Sequence, residues 1–288
     1  MKLPWKHIHF IGIGGAGMSA LASLVLQRGV YVSGSDLEIG SVARCLQKKG
    51  AEVVKGHDQL IPGVPDLVVY SAAVKEENPE RQQTIARSLS HMKRGAFLAE
   101  LAACYPKVIS VGGSHGKTTV TSMLAHIFKE CGSNADFVIG GSPAGELLSA
   151  EIGQGEYFIT EADESDCSLA LLTSHNGVVI NAEDDHAWSA GGREQLFQAF
   201  KTFADQSTTL VYGRGEIPDE LFSDNKNAIS LNPHVDEEYV PQAGQHNRFN
   251  AAVAAKVAQL CGLDQAGVTA ALKSFAGVKR RSTVNGAG

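Results

Sequence analysis

No run of uncharged apolar residues in this chain approaches the roughly 20 needed to cross a bilayer as a helix, so no membrane partner is expected. The opening residues MKLPWKHIHF hold no apolar core ahead of a small-residue cleavage site, so no secretory signal is expected either. Positive charge is in short supply. Lys and Arg number 25 against 31 Asp and Glu, a formal net charge of -6, which leaves no basic face to displace the counterions of a nucleic acid. Cysteine is sparse and odd in number: Cys45, Cys104, Cys131, Cys167 and Cys261 are widely spaced and form no CxxC pair. They read as free, mostly buried thiols of a reducing compartment, and a cytoplasmic location follows as the expectation. Short repeats, low-complexity tracts and long linkers are missing too.

What is present is an ordinary globular composition. Hydrophobic residues make up 43% and charged residues 19% of 288, room for about two domains with their own cores. A small anionic ligand stays possible, because backbone N–H groups at a helix start hold phosphate without net positive charge. Composition says nothing of oligomeric state.

Short β-rich runs alternate with helical stretches, which predicts an α/β fold with parallel sheets. HIHFIGI, VYVSGSD, AEVVKG and DLVVYSA read as strands of a first unit. GMSALASLVLQR, SVARCLQKKG and PERQQTIARS read as its helices, and AFLAELAACYP closes it at Pro106. A second unit opens at KVISVGG and continues through the strands ADFVIGG, EYFITEAD, GVVINAE and TTLVYGR. Its later helices are REQLFQAFKTFAD, RFNAAVAAKVAQL and QAGVTAALKSFAG. The expected division is 1–106, a Rossmann-like domain; 107–281, a P-loop-type central domain with a mostly parallel sheet; and 282–288, STVNGAG, a linker cut short.

Each unit carries a glycine-rich turn between a strand and a helix. In the first, Gly12, Gly14 and Gly17 form GxGxxG, joined by Gly15, and Asp36 follows 19 residues beyond Gly17. Glycine permits the tight turn and lets backbone approach a pyrophosphate, while the acid can accept hydrogen bonds from ribose hydroxyls. The same pattern fits a turn that binds nothing, or a nicotinamide dinucleotide. In the second, Gly113, Ser114, His115, Gly116, Lys117, Thr118 and Thr119 form a shortened phosphate loop, since full P-loop spacing would place glycine where Val111 stands. Its amides can cradle phosphates, Lys117 can neutralise the β/γ oxygens, and Thr118 can hold Mg²⁺. Two such loops on successive units point to a nucleotide-linked substrate brought to ATP.

Two acidic clusters, EADESD from Glu161 and EDDH from Glu183 to His186, follow presumed strands, where open α/β sheets gather ligands. They suit Mg²⁺ bridging ATP phosphates, or else form solvated loops with helix caps. Asn247 and Asn250 lie one turn apart on a helix start, where Asn247 alone would read as a cap.

In this order HFIGIGGAGMSALA, VVYSAAVKEENPE, GSHGKTT, EADESD, NAEDDH, GQHNRFNAAVA and KRR resemble segments of the Mur ligase family, across nearly all of residues 7–281. The resemblance implies an ATP-dependent acid–amino-acid ligase that takes UDP-N-acetylmuramate, ATP and L-alanine, with Mg²⁺ as cofactor. It implies UDP-sugar binding at Gly12, Gly14, Gly15, Gly17, Asp36 and Ser71. Lys117, Glu161 and His186 would be the catalytic set, and Thr118, Glu161 and His186 the metal ligands. The ATP site would take in Gly113 to Thr119, His246, Asn247, Asn250 and Arg281. Where the family carries an aspartate two residues after the metal histidine, this chain has Trp188, and no segment resembles the family's third domain. Two rival expectations are a UDP-sugar-binding module or truncated paralogue without ligase activity, and a nicotinamide oxidoreductase, which leaves GSHGKTT without a role.

Overall fold

The computed structural model describes residues 2–140, 150–165, 167–183, 191–233 and 244–275. The first sheet is built from β1 (His7–Ile11), β2 (Tyr31–Asp36), β3 (Glu52–Lys55), β4 (Leu67–Tyr70) and β5 (His91–Lys93) in the order β3-β2-β1-β4-β5, every pair parallel. Helices α1 (Ala16–Gln27), α2 (Ser41–Lys48), α3 (Pro79–Ala86) and α4 (Arg94–Ala102) make the crossovers. Strands covered on both faces read as apolar runs, and Leu67 to Tyr70 is buried throughout. The chain runs outward from β1 to β3 and then returns to place β4 on the other side of β1. A crevice therefore opens at the carboxyl ends of β1 and β4, the topological switch point where such sheets take ligands. Gly12 follows β1 and Ser71 follows β4 at that crevice.

The second sheet has seven strands in the order β12-β11-β10-β6-β9-β7-β8. They are β6 (Lys107–Gly112), β7 (Asp136–Val138), β8 (Ala150–Glu151), β9 (Tyr157–Glu161), β10 (Ser174–Val179), β11 (Ser207–Gly213) and β12 (Ala228–Leu231). Only the pairing of β7 with β8 is antiparallel. Its helices are α5 (Lys117–Glu130), α6 (Arg193–Asp205), α7 (Glu216–Phe222), α8 (Gln245–Leu260) and α9 (Gln265–Ser274). The sequence patterns give no sign of β5, β8, α7 or β12; each is seven residues or fewer, too short for a period to show. Val120, Leu124 and Phe128 of α5 pack with Val257 of α8 and Leu272 of α9 on one face of this sheet.

One apolar cluster runs from the first sheet into the second, through Phe10, Phe97, Leu101, Phe158 and Phe203. Phe97 of α4 meets Trp5 and Phe10 at ring-centroid distances of 5.2 and 5.8 Å, and Tyr105 stacks on Phe158 at 4.7 Å. Each fully buried phenylalanine contributes about 1.5–3 kcal/mol. A polar clamp reinforces the junction. Arg28, at the end of α1, bonds the fully buried Asp136 of β7, which also accepts from Tyr105 Oη at 2.7 Å and Gly153 N at 2.8 Å. The aspartate's attraction outweighs burial and raises the Arg28 guanidinium, while burial and the same carboxylate push the Tyr105 phenol well above its usual range.

Candidate active site

At the switch point of the first sheet lies a cavity of about 780 Å³ whose wall includes Gly12, Gly14, Gly15, Asp36, Ser71 and His57. Gly12 turns the chain out of β1 with φ +81°, a conformation that favours glycine. Asp36, expected to wait for ribose hydroxyls, first fixes the loop: its Oδ2 accepts the Gly14 N–H at 2.7 Å. A side chain at Gly14 would begin 2.9 Å from that oxygen. Gly17 does not line the cavity. It lies in the first turn of α1, where the Arg94 side chain comes within 3.2 Å of where a Cβ would stand.

In the second sheet, Gly113 (φ +130°) and Gly116 (φ +88°) bracket the second glycine-rich turn, and Gly116 starts α5 in the left-handed region. Asn181, just past β10, grips the turn: its Oδ1 accepts from His115 N at 2.9 Å and its Nδ2 donates to His115 O at 3.2 Å. Ser114 Oγ accepts from Glu183 N at 2.9 Å. The amide run thus opens on a helix N-terminus, which favours an anion. Lys117 Nζ folds back to Gly113 O at 2.6 Å and to both oxygens of buried Glu164 at 2.8 Å. Among the described acids of EADESD, Glu164 is the one the loop lysine bonds, which spacing alone does not tell.

Glu161 ends β9 beside the loop. Its Oε1 accepts from Gly140 N at 2.9 Å, and the Thr118 side chain hydrogen-bonds the same carboxylate. Burial raises its carboxyl above the ordinary glutamate value despite those bonds and the nearby Lys117 charge. Thr118 and Glu161 are hard oxygen donors side by side, the chemistry Mg²⁺ prefers. Among the described residues no three His, Cys, Asp or Glu side chains cluster as a ready-made metal cage. His186, Trp188 and Arg281 lie outside the described residues. Thr119 is half-buried in the first turn of α5. His246 and Asn247 are exposed on α8, whose cap is Gly244 and not Asn247. Asn250 is buried, and its Oδ1 would lie 2.9 Å from a Cβ at Gly116, so it closes directly over the second glycine-rich turn.

The first turn is tied to the loop that follows β9. Arg94, at the start of α4, packs on Gly17 of the first turn and donates from Nη2 at 2.9 Å to Oδ2 of Asp163, the neighbour of the Glu164 that holds Lys117. Burial opposes ionisation of Asp163, but Ser165, Arg94 and Lys117 outweigh it and hold the carboxyl below its usual range. Sequence reasoning missed Arg94, Asn181, Glu164 and His57. Glu164 and Asn181 sat in segments already singled out, EADESD and NAEDDH, without a role of their own, and Arg94 and His57 act across the fold.

Comparison with known proteins agrees with this fold. Residues 7–105 match the family model described as Mur ligase family, catalytic domain, and residues 111–214 the Mur ligase middle domain. The chain belongs to the Mur ligase family, whose members are ligases. The UDP-N-acetylmuramate–L-alanine ligase of Syntrophomonas wolfei is 35% identical over 98% of this chain and 68% of its own length. That of Desulforamulus reducens is 37% identical over the same shares. Among solved structures, the UDP-N-acetylmuramate–alanine ligase of Thermotoga maritima superposes with TM-score 0.84 at 26% identity, covering 96% of this chain and 70% of that one. The UDP-N-acetylmuramate:L-alanyl-gamma-D-glutamyl-meso-diaminopimelate ligase of Neisseria meningitides gives 0.85 at 25%, covering 96% and 99%. No helix among the described residues is long and apolar enough to cross a membrane.

Proposed function

We propose that this chain carries the UDP-N-acetylmuramate and Mg–ATP sites of a cytoplasmic ligase that forms an amide with L-alanine. The observation that carries the reading is the pair of glycine-rich turns, one at the carboxyl end of each sheet, with Arg94 running from the first turn to Asp163 in the loop beside the second. Support for L-alanine comes from relatives 35% and 37% identical that bear that name. Residues 1–106 hold the UDP-sugar and 107–281 hold Mg–ATP.

In this reading the substrate's lactyl carboxylate attacks the γ-phosphorus of ATP, the bond to the β-phosphate oxygen breaks, and ADP leaves an acyl phosphate. The amine of L-alanine then attacks the acyl carbon, phosphate departs, and the amine loses a proton to form the amide. The turn at Gly113 to Thr119 positions the triphosphate through its amides, and Lys117 leaves Glu164 to neutralise the phosphate oxygens. Asn250 holds the turn from above, with His246 and Asn247 on the base side and Arg281 toward the phosphates. Mg²⁺, held by Thr118, Glu161 and His186, would supply further neutralisation of the transferring group. Asp36 keeps the first turn open to the diphosphate. The work is positioning and charge neutralisation, and no side-chain nucleophile is needed.

The test is calorimetry with UDP-N-acetylmuramate and with Mg–ATP. It is followed by incubation with both plus L-alanine, with and without the part of a relative that the match leaves out. Both ligands should bind the chain alone, and the added part should bring phosphate release and the alanyl product. Binding of reduced nicotinamide in place of the UDP-sugar, or no product in either arrangement, would overturn the reading.

A further inference from the structure

Beneath the first cavity lies a buried polar network that the proposed reaction does not use. Glu80 of α3 and His9 of β1 are each 1% exposed, and Ser33 and Ser35 of β2 are fully buried. Glu80 Oε2 accepts the hydroxyl proton of Ser35 and lies 3.0 Å from His57 Nδ1, which is itself 2.7 Å from Ser35 Oγ. Glu80 Oε1 faces His9 Nε2 at 3.3 Å, an ion-pair separation whose geometry falls short of a hydrogen bond. Nδ1 of His9 shares Ser33 Oγ with His7 Nε2, each at 2.8 Å. Burial alone would raise the Glu80 carboxyl, but His9, Ser35 and His57 outweigh it and hold it below the ordinary glutamate value.

Proton counting fixes Nδ1 of the His57 ring. A carboxylate only accepts, and the single Ser35 proton is spent on Glu80. Both neighbours of Nδ1 are therefore acceptors, and Nδ1 must carry the proton. Nε2 has no partner among the described residues, and the ring lines the cavity beside Asp36. We propose that His57 presents an unprotonated Nε2 to the cavity and accepts one hydrogen bond from the nucleoside of the bound diphosphonucleotide, with Glu80 and Ser35 as positioning residues that set its tautomer. The proposal rests on the UDP-sugar reading of this cavity. A uridine nucleotide offers two kinds of donor, the imide N3–H and the ribose hydroxyls. His57 reads one of them and so adds specificity that phosphate contacts cannot give.

The test has two independent arms. Nitrogen-15 NMR of the ligand-free chain, with the His57 signals assigned by their loss in His57→Gln, should show the Nδ1–H tautomer. In Glu80→Gln, where the amide can donate to the ring, that preference should fall. The Nε2–H tautomer, or a ring protonated on both nitrogens, in the unaltered chain would overturn the proposal. Calorimetry with UDP should show His57→Leu weakening binding about tenfold, the scale of one hydrogen bond, with His57→Gln restoring part of it. One analogue among 3-methyl-UDP, 2′-deoxy-UDP and 3′-deoxy-UDP should bind the unaltered chain about as weakly as His57→Leu binds UDP, and should not weaken further in that variant. Equal UDP affinity in the unaltered chain and a folded His57→Leu would overturn the His57 role alone. Failure of UDP to bind the unaltered chain would overturn the nucleotide reading and the role with it.

Discussion

Replacing Lys117 should damage two properties at once, because the fold holds this cation in three ways before any nucleotide arrives. Its Nζ bonds Gly113 O at 2.6 Å and both Glu164 oxygens at 2.8 Å, with the lysine side chain 18% and the glutamate 2% exposed. Removing one partner of a buried pair costs about 3–5 kcal/mol. The partly open lysine puts this case near the lower end. Lys117→Ala should therefore lose about 3 kcal/mol of stability by urea denaturation followed by circular dichroism. It should also weaken Mg–ATP by about 10- to 100-fold, the worth of one charge-assisted hydrogen bond. The double variant Lys117→Met with Glu164→Gln neutralises both charges, so it should recover most of the stability and none of the ATP affinity. A single variant as stable as the unaltered chain, or a double variant that binds ATP normally, would refute the argument.

Further outcomes are expected. Gly14→Val should weaken UDP-sugar binding sharply in calorimetry, because its side chain meets Asp36 Oδ2 and breaks the bond that holds the turn; Gly215→Ala, on extended backbone with only an ordinary contact at 3.6 Å, should leave that affinity unchanged. Arg28→Leu leaves Asp136 with Tyr105 and Gly153 but without its cation, and should cost about 3 kcal/mol of stability in the same denaturation assay. Glu161 has a raised carboxyl, so the folded chain holds that proton more tightly than the unfolded chain and ionising it costs stability as pH rises. Acidification should accordingly loosen the Mg²⁺-dependent part of ATP binding above the ordinary glutamate range, and Glu161→Gln should abolish that dependence. Glu80 is shifted downward, so its stabilisation is present above the ordinary glutamate value and lost as pH falls through the folded-state value; Glu80→Gln should flatten the acid limb of a stability profile.

Much of this arrangement is legible in the residues. The turns at Gly12 and Gly116 announce themselves because only glycine tolerates their positive φ, and a lysine after such a turn has few structural uses. Parallel strands buried on both faces read as plain apolar runs, so both sheets show in outline. Strand order does not, and it is order that brings Ser71 to Gly12 and Glu161 to Thr118. Asp36 illustrates the limit: a carboxylate after β2 invites a ligand, yet its nearest donor is the Gly14 amide of its own fold. Likewise, Asn247 looks like a cap by type, while Gly244 caps α8 and the buried Asn250 lies over the phosphate turn. His57 and Arg94 are partners across long sequence separations, and no local pattern marks them; Asn181 opens the quoted segment NAEDDH, but its grip on His115 shows only in the fold.

The central claim is that two separate phosphate turns in one chain serve two ligands, a UDP-sugar on the first and Mg–ATP on the second. Calorimetry of UDP-N-acetylmuramate and of Mg–ATP against the unaltered chain, Gly14→Val and Lys117→Ala tests it most directly. The account predicts that Gly14→Val loses the UDP-sugar and keeps Mg–ATP, while Lys117→Ala loses Mg–ATP and keeps the UDP-sugar. Loss of both ligands in either folded variant, or of neither in both, would contradict it.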